Sequence, residues 1–147
     1  MTESAWKRPE SVLVLIHTRA GEVLLLERRR PAGYWQSVTG SLEWGEAPAE
    51  AAVREVREET GLDVSDGLID CRYLNRFGIV PPWRARYAPD VDTNTEHVFR
   101  VEYSVRPAVR INLPEHSRYR WLPRAEALAL ASSRTNREAI ARYVAAE

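Results

Sequence analysis

The chain has 147 residues, 21 of them basic and 21 acidic, and 44% are apolar. That length is most simply one domain, residues 1–147, with a core of its own, and the balanced charge leaves no field to draw the chain to a nucleic acid polymer or an anionic membrane. No apolar run approaches the ~18–20 residues that span a bilayer, the N-terminal "MTESAWKRPE" has no apolar signal core, and a lone Cys71 fits a reducing cytoplasm.

"SVLVLIH" (Ser11–His17) is a continuous, β-branched apolar run and reads as a buried strand. "AGE" then turns the chain into "VLLLE" (Val23–Glu27), its hairpin partner. "YWQSVTG" (Tyr34–Gly40) reads as one short strand ending in a glycine turn. Ala49, Ala52, Val53 and Val56 next follow an i, i+3, i+4, i+7 stripe, so a helix is expected from about Ala47 to Thr60. Pro48 suits its first turn and Gly61 its C-terminal stop.

"LIDCRYLNRFGIV" (Leu68–Val80) reads as a strand bent at Gly78, and Pro81–Asn94 as a long loop of the kind that often carries function. "EHVFRVEYSV" (Glu96–Val105) alternates, with Phe99, Val101, Tyr103 and Val105 on one face. A short strand "YRWLP" and a small helix "RAEALALA" follow. "TNREAIARYVAAE" closes the chain as a helix opened by a Thr135/Glu138 capping box. Strands, a central helix, more strands and then helices make an α+β chain or a three-layer α/β/α sandwich, not a regular βαβ repeat.

The central helix concentrates acid. Glu55 and Glu59 are i, i+4 neighbours with Glu58 beside them, and Glu59 lies nearest the apolar stripe, so it is expected to be partly buried. Like charges this close repel unless a cation sits between them, and an all-oxygen carboxylate site suits Mg²⁺ or Mn²⁺. Arg54, at i, i+4 from Glu58, can hold that carboxylate in place. Glu46, near the helix N-terminus, can join the same network. Gly40 permits a tight turn that would aim its backbone carbonyl at the metal. Taken alone, the glutamates read first as a solvated acidic face, the usual meaning of a charge run.

The full spacing decides between these readings. Gly40, five residues, Glu46, seven residues, Arg54-Glu55-Val56, one residue, Glu58-Glu59, one residue, Gly61-Leu62 resembles the Nudix box in full, over residues 40–62. The resemblance implies an α/β/α sandwich around a mixed sheet and a hydrolase acting on a nucleoside diphosphate linked to a further group, with Mg²⁺ or Mn²⁺. It implies Glu55 and Glu59 as metal ligands and Glu58 as a further ligand or a group that orients water.

Segments outside the box resemble the Nudix branch that hydrolyses dihydroneopterin triphosphate in bacterial folate synthesis. They are "KRPxS" (Lys7–Ser11), "IDC" (Ile69–Cys71), "RYAPDVDTNTE" (Arg86–Glu96), "EHSRYRWL" (Glu115–Leu122) and "NREAI" (Asn136–Ile140), together with "WQSVTGSLEWGE" around Gly40. "FGIVPPWRARYAP" departs from that pattern in its second half. The implied substrate is a small-molecule triphosphate, with hydrolysis of other nucleoside or deoxynucleoside triphosphates as the alternative and a non-catalytic sensor as a further one.

By the same resemblance Glu115 is a third metal ligand, and Lys7, the chain's only lysine, contacts substrate. The arginine run after the second strand offers forks that match phosphate oxygens, and the resemblance selects Arg28. Phe77, Gly78, Ile79 and Val80 are expected to wall a flat ring. Thr39 could bond ring or phosphate, or be an ordinary strand residue. Ser133 could bond the ligand or cap the last helix. Trp35 reads as core or as pocket wall. His116, His17 and His97 read as structural, partly exposed histidines. The oligomeric state is not legible.

Overall fold

The computed structural model describes residues 6–81 and 83–145. Seven strands form one mixed sheet: β1 (Glu10–Thr18), β2 (Glu22–Arg28), β3 (Trp35–Gln36), β4 (Val38–Ser41), β5 (Ile69–Gly78), β6 (Thr93–Tyr103) and β7 (His116–Pro123). Three helices accompany them: α1 (Pro48–Thr60), α2 (Arg124–Leu130) and α3 (Arg134–Tyr143). The main path is β3-β2-β1-β6-β5, with β4 on β1 and β7 on β2. Among the described residues only β1 and β6 run parallel, over nine paired positions from Glu10↔Thr95 to Thr18↔Tyr103.

The strand period builds the three layers. Val12, Val14 and Ile16 of β1 join Leu24, Leu26, Phe99 and Val101 in a core with Ala51, Ala52 and Val56 of α1. Leu13 and Leu15 face the other way, into a second core with Val23, Leu25, Val98 and Ala127, Ala139 and Ile140 of α2 and α3. A strand covered on both faces needs the continuous apolar run seen in the sequence, because alternate side chains enter opposite cores. Trp35 belongs to the second core, which settles its role as packing.

The expected single strand at Tyr34–Gly40 is two strands with different partners. Val38–Ser41 pairs with β1, and Trp35–Gln36 with β2. The β1–β2 ladder retains only His17↔Val23 near its turn, because β3 and β4 wedge between the two strands beyond it. The switch falls at Ser37, whose backbone N–H donates to Asn136 Oδ1 at 2.8 Å while Asn136 Nδ2 donates to Ser37 Oγ at 3.0 Å. Burial of a backbone polar group demands such a partner, and only α3 supplies it.

Other boundaries shift for similar reasons. Helix α1 begins at Pro48, with Glu50 accepting from the Ala47 N–H at 2.8 Å, and stops at Gly61, φ +76°. β5 ends at Gly78 and carries a bulge between Asp70 and Tyr73, with Arg72 at φ +53°. The loop after it contains a 3-10 turn at Trp83–Arg86, and Pro82 lies outside the described residues. β6 ends at Tyr103, so Val105 lies beyond the strand, 74% exposed, and does not share its buried face. The cap of α3 is Ser133, accepting from the Asn136 N–H at 3.1 Å, rather than Thr135. Glu138 instead pairs with Arg134. The helix ends at Tyr143, and the last two residues of its expected span lie outside the described residues.

Candidate active site

A cleft of about 1130 Å³ opens where the sheet meets α1, and the site residues expected from sequence gather there. Lys7, Arg28, Thr39, Gly40, Arg54, Glu55, Glu58, Phe77, Gly78, Ile79, Val80, Glu115 and Ser133 all line it. Glu59 and Glu46 are not among the lining residues: Glu59 is buried, and Glu46 is bonded to Arg54, which does line the cleft.

Helix geometry sorts the glutamates by burial. Glu59 faces the apolar side of α1 and is 1% exposed, buried more completely than expected, whereas the Glu58 side chain is 49% exposed. Neither carboxylate oxygen of Glu59 has a hydrogen-bond partner among the described residues. Burial first, and then the carboxylates of Glu55, Glu115 and Glu58, push its pKa well above the usual carboxylate range. Burial likewise raises Glu55. A buried carboxylate without a partner calls for a proton or a cation.

Arg54 is the frame of this acidic face. Its Nε donates to Glu46 Oε2 at 2.8 Å and its Nη2 to Glu46 Oε1 at 2.9 Å, a two-pronged pairing. Its Nη1 reaches Glu55 at 3.1 Å and Glu58 at 3.2 Å, and its Nη2 reaches the Ser41 carbonyl at 3.1 Å. Glu46 is held in turn by the Glu43 N–H at 2.9 Å.

Gly40 acts differently from the expectation of a tight turn. It lies within β4, paired with Val12. A Cβ there would sit 2.5 Å from Glu55 Oε1 and closer still to Cδ and Oε2. The position requires glycine because the Glu55 carboxylate occupies the space a side chain would fill.

The loop before β7 brings Glu115 toward this acidic face, where its charge acts on Glu59. Next to it, His116 corrects the expectation of partial exposure. It is 2% exposed, with Nε2 3.7 Å from Glu59 Oε1, and burial together with the Arg28 charge lowers its pKa to about 4. His17 is also buried, whereas His97 is half-buried and pairs with Glu10 at 2.9 Å. The burial of His116 was not legible in the sequence, because the alternation of Arg118-Tyr119-Arg120-Trp121 puts it on the arginine face, whereas the register shift between Glu27 and Arg28 breaks that alternation just before it.

Across the cleft stand the cations. The Lys7 ammonium lies 5.7 Å from the centre of the Tyr87 ring, and the Lys7 N–H donates to the Arg86 carbonyl at 2.9 Å. Burial and then the charges of Arg86 and Arg28 lower its pKa. Arg28 Nε donates to the Arg30 carbonyl at 2.9 Å, while Arg29 turns away to the Leu113 carbonyl at 2.7 Å. Thr39 Oγ1 accepts from Gln36 Nε2 at 3.0 Å. Arg8, which sequence reading passed over, donates to the carbonyls of Glu43 and Glu46, both at 2.9 Å, and so braces the turn before α1.

The donor set is all oxygen and anionic, which fits a hard divalent cation. It is not a closed cage: among the described residues no three His, Cys, Asp or Glu groups converge in ligating geometry. Open, water-rich coordination completed by substrate phosphates suits Mg²⁺-type ions.

Comparison with known proteins places this arrangement. A family model of the NUDIX domain matches residues 7–143. The dihydroneopterin triphosphate diphosphatase of Escherichia coli (strain K12) is 43% identical over 148 residues, covering 98% of this chain and 97% of the relative. The Haemophilus influenzae protein of the same name is 38% identical, covering 95% of this chain and 89% of the relative. The solved structure of the E. coli dihydroneopterin triphosphate pyrophosphohydrolase superposes with a TM-score of 0.87 at 42% identity, covering 95% of this chain and 97% of that one. No helix among the described residues is long and apolar enough to cross a membrane. With the match running nearly from end to end and the acidic helix, its Arg54 frame and Gly40 all in place, the chain belongs to the Nudix domain family.

Proposed function

We propose that the protein is a single-domain Nudix hydrolase that converts dihydroneopterin triphosphate and water to dihydroneopterin monophosphate and pyrophosphate, in the cytoplasm and in service of folate synthesis. The observation that carries this reading is a likeness spread over 98% of the chain at 43% identity, extending well beyond the catalytic helix to the strands and loops that wall the cleft.

In this reading Glu55, Glu59 and Glu115 hold Mg²⁺, with Mn²⁺ as a substitute. The ion supplies charge neutralisation for the polyphosphate and acidity for water. Arg54 locks the Glu55 and Glu58 carboxylates in one arrangement before substrate arrives, so no reorganisation is needed during reaction. Lys7 and Arg28 bind phosphate oxygens, and burial followed by the charges of Arg86 and Arg28 lowers the Lys7 pKa, a shift that a bound anion would oppose. Glu58, more exposed than Glu55 and Glu59, orients water. The water oxygen forms a bond to phosphorus, the bridging P–O bond breaks, and pyrophosphate leaves with its electron pair while the water proton passes to an acceptor in the site. Phe77, Gly78, Ile79 and Val80 form an apolar wall for the ring, and Thr39 and Ser133 offer hydroxyls at its rim.

Pyrophosphate release in Mg²⁺ tests the assignment, with kcat/KM compared across dihydroneopterin triphosphate, the common NTPs and dNTPs, and 8-oxo-dGTP. Preference for the pterin is expected. A flat or nucleotide-favouring profile would move the function to hydrolysis of the nucleotide pool.

A further inference from the structure

The floor of the cleft carries polar groups that phosphate chemistry does not use. On β6, Asn94 and Glu96 share a face with Val98, which belongs to the core under α2 and α3. The register places Asn75 of β5 and Ser11 of β1 beside Glu96, and Phe77 beside Asn94. Moving along that face, the apolar core gives way to a polar recess flanked by an aromatic side chain. Asn94 is 4% and Glu96 5% exposed, yet both line the cleft.

The recess is rich in acceptors. Asn94 Nδ2 donates to Ser11 Oγ at 2.8 Å, and Asn94 Oδ1 is buried with no partner among the described residues. Asn75 Nδ2 donates to Glu96 Oε1 at 3.1 Å. The groups acting on the Glu96 carboxylate are this amide and the Thr135 hydroxyl, both uncharged, and burial outweighs them to raise its pKa. A carboxylate can accept at about four lone-pair sites, so Glu96 retains capacity, and buried acceptors without donors are costly. A complementary ligand must bring N–H groups, at least two of them side by side.

Flat heterocycles differ on that requirement. A 2-amino-4-oxopyrimidine ring, as in pterin and guanine, presents an N–H and an amino group on adjacent positions. Adenine and cytosine present an amino group next to a bare ring nitrogen, which would face the carboxylate lone pair to lone pair. Uracil and thymine present one N–H between two carbonyls. We propose that Glu96, with Asn94 beside it, is the specificity residue of this cleft and accepts the paired N–H and amino groups of a 2-amino-4-oxopyrimidine ring. The inference rests on the proposed triphosphate hydrolysis and deepens it by naming the ring edge that is read.

The test compares two ratios of kcat/KM, dihydroneopterin triphosphate over dATP and GTP over ATP, in the wild type and in Glu96→Gln and Glu96→Asp. Glutamine keeps the shape and an acceptor for Asn75 but puts an amide N–H against the ring's donors. Both ratios are expected above one in the wild type, and to fall by roughly tenfold or more in Glu96→Gln, the scale of a lost charge-assisted hydrogen bond. Glu96→Asp, which retains the carboxylate, is expected to lie between them. Circular dichroism melting of each variant separates loss of fold from loss of discrimination, and Glu96→Asp carries the test if the glutamine variant does not fold. Ratios unchanged in both variants would overturn the role of Glu96 and leave the pterin assignment standing. Absence of turnover of the pterin by the wild type, with a GTP over ATP ratio that still collapses in the variants, would overturn the pterin assignment and uphold the ring-edge reading. A wild-type GTP over ATP ratio at or below one would overturn the ring-edge reading itself.

Discussion

Replacing Gly40 by alanine separates activity from stability. The new Cβ would fall within the Glu55 carboxylate, 2.5 Å from Oε1. Restoring ordinary contact moves that carboxylate by roughly 1 Å or more. Its atoms are the far end of a flexible side chain, so the backbone need not shift, and crowding of this kind costs about 1 kcal/mol, the low end for overpacking. Alanine offsets much of that cost by restricting the unfolded chain, worth about 0.4–1 kcal/mol where the backbone tolerates it, and Gly40 lies in a regular paired strand. The melting temperature is therefore expected to stay within about 4 °C of the wild type. Activity has no such compensation: a reacting arrangement misplaced by ~1 Å loses on the order of 100-fold. The displaced carboxylate also strains its 3.1 Å bond to Arg54. Steady-state pyrophosphate release at saturating Mg²⁺ and thermal melting by circular dichroism measure the two effects. A Gly40→Ala enzyme with kcat/KM within about threefold of the wild type would refute the argument that this close approach positions Glu55 for catalysis.

Glu59→Gln is expected to abolish turnover and leave the fold intact; near-normal rates with Mg²⁺ would show that Glu59 does not hold the metal. The same variant carries a pH signature in chelator. Because the folded-state pKa of Glu59 is raised, the folded chain binds more protons than the unfolded chain above the ordinary carboxylate range, and stability falls as pH rises toward the raised value. Melting temperature in EDTA should thus decline from pH 5 to 8 in the wild type, less steeply in Glu59→Gln, and Mg²⁺ should restore it in the wild type alone. Parallel melting curves for the two proteins would contradict the burial of an unpartnered charge. Asn136→Ala removes the side chain bonded to the buried Ser37 N–H and is expected to cost about 2–3 kcal/mol, lowering the melting temperature by roughly 5–10 °C. A change under about 2 °C would mean that the Ser37 switch finds another partner.

Local rules made much of this legible. The stripe Ala52–Val56, the stop at Gly61 and the i, i+4 pair Glu55–Glu59 are properties of one helix, and helix geometry alone puts the carboxylates on one face. The split of the expected strand Tyr34–Gly40 into two was not legible, because it depends on Asn136, 99 residues away in sequence from Ser37. Glu96 and His116 escaped for a similar reason. On β6, alternation predicts an outward face for Glu96, but that strand is covered on both sides, so its second face is also interior.

The sequence by itself determined the family, the reaction class it implies and the residues of the acidic helix, since these rest on spacing within a short segment. Only the tertiary structure decided why Gly40 must be glycine, how completely Glu59 is buried, that Glu96 is buried at all, and how Lys7, Arg28, Glu96 and Glu115 come to share one cleft. These are relations between strands and loops far apart in the chain. They are set by strand pairing, of β4 with β1 at Gly40 and of β6 with β1 and β5 at Glu96, which joins segments that no local pattern connects.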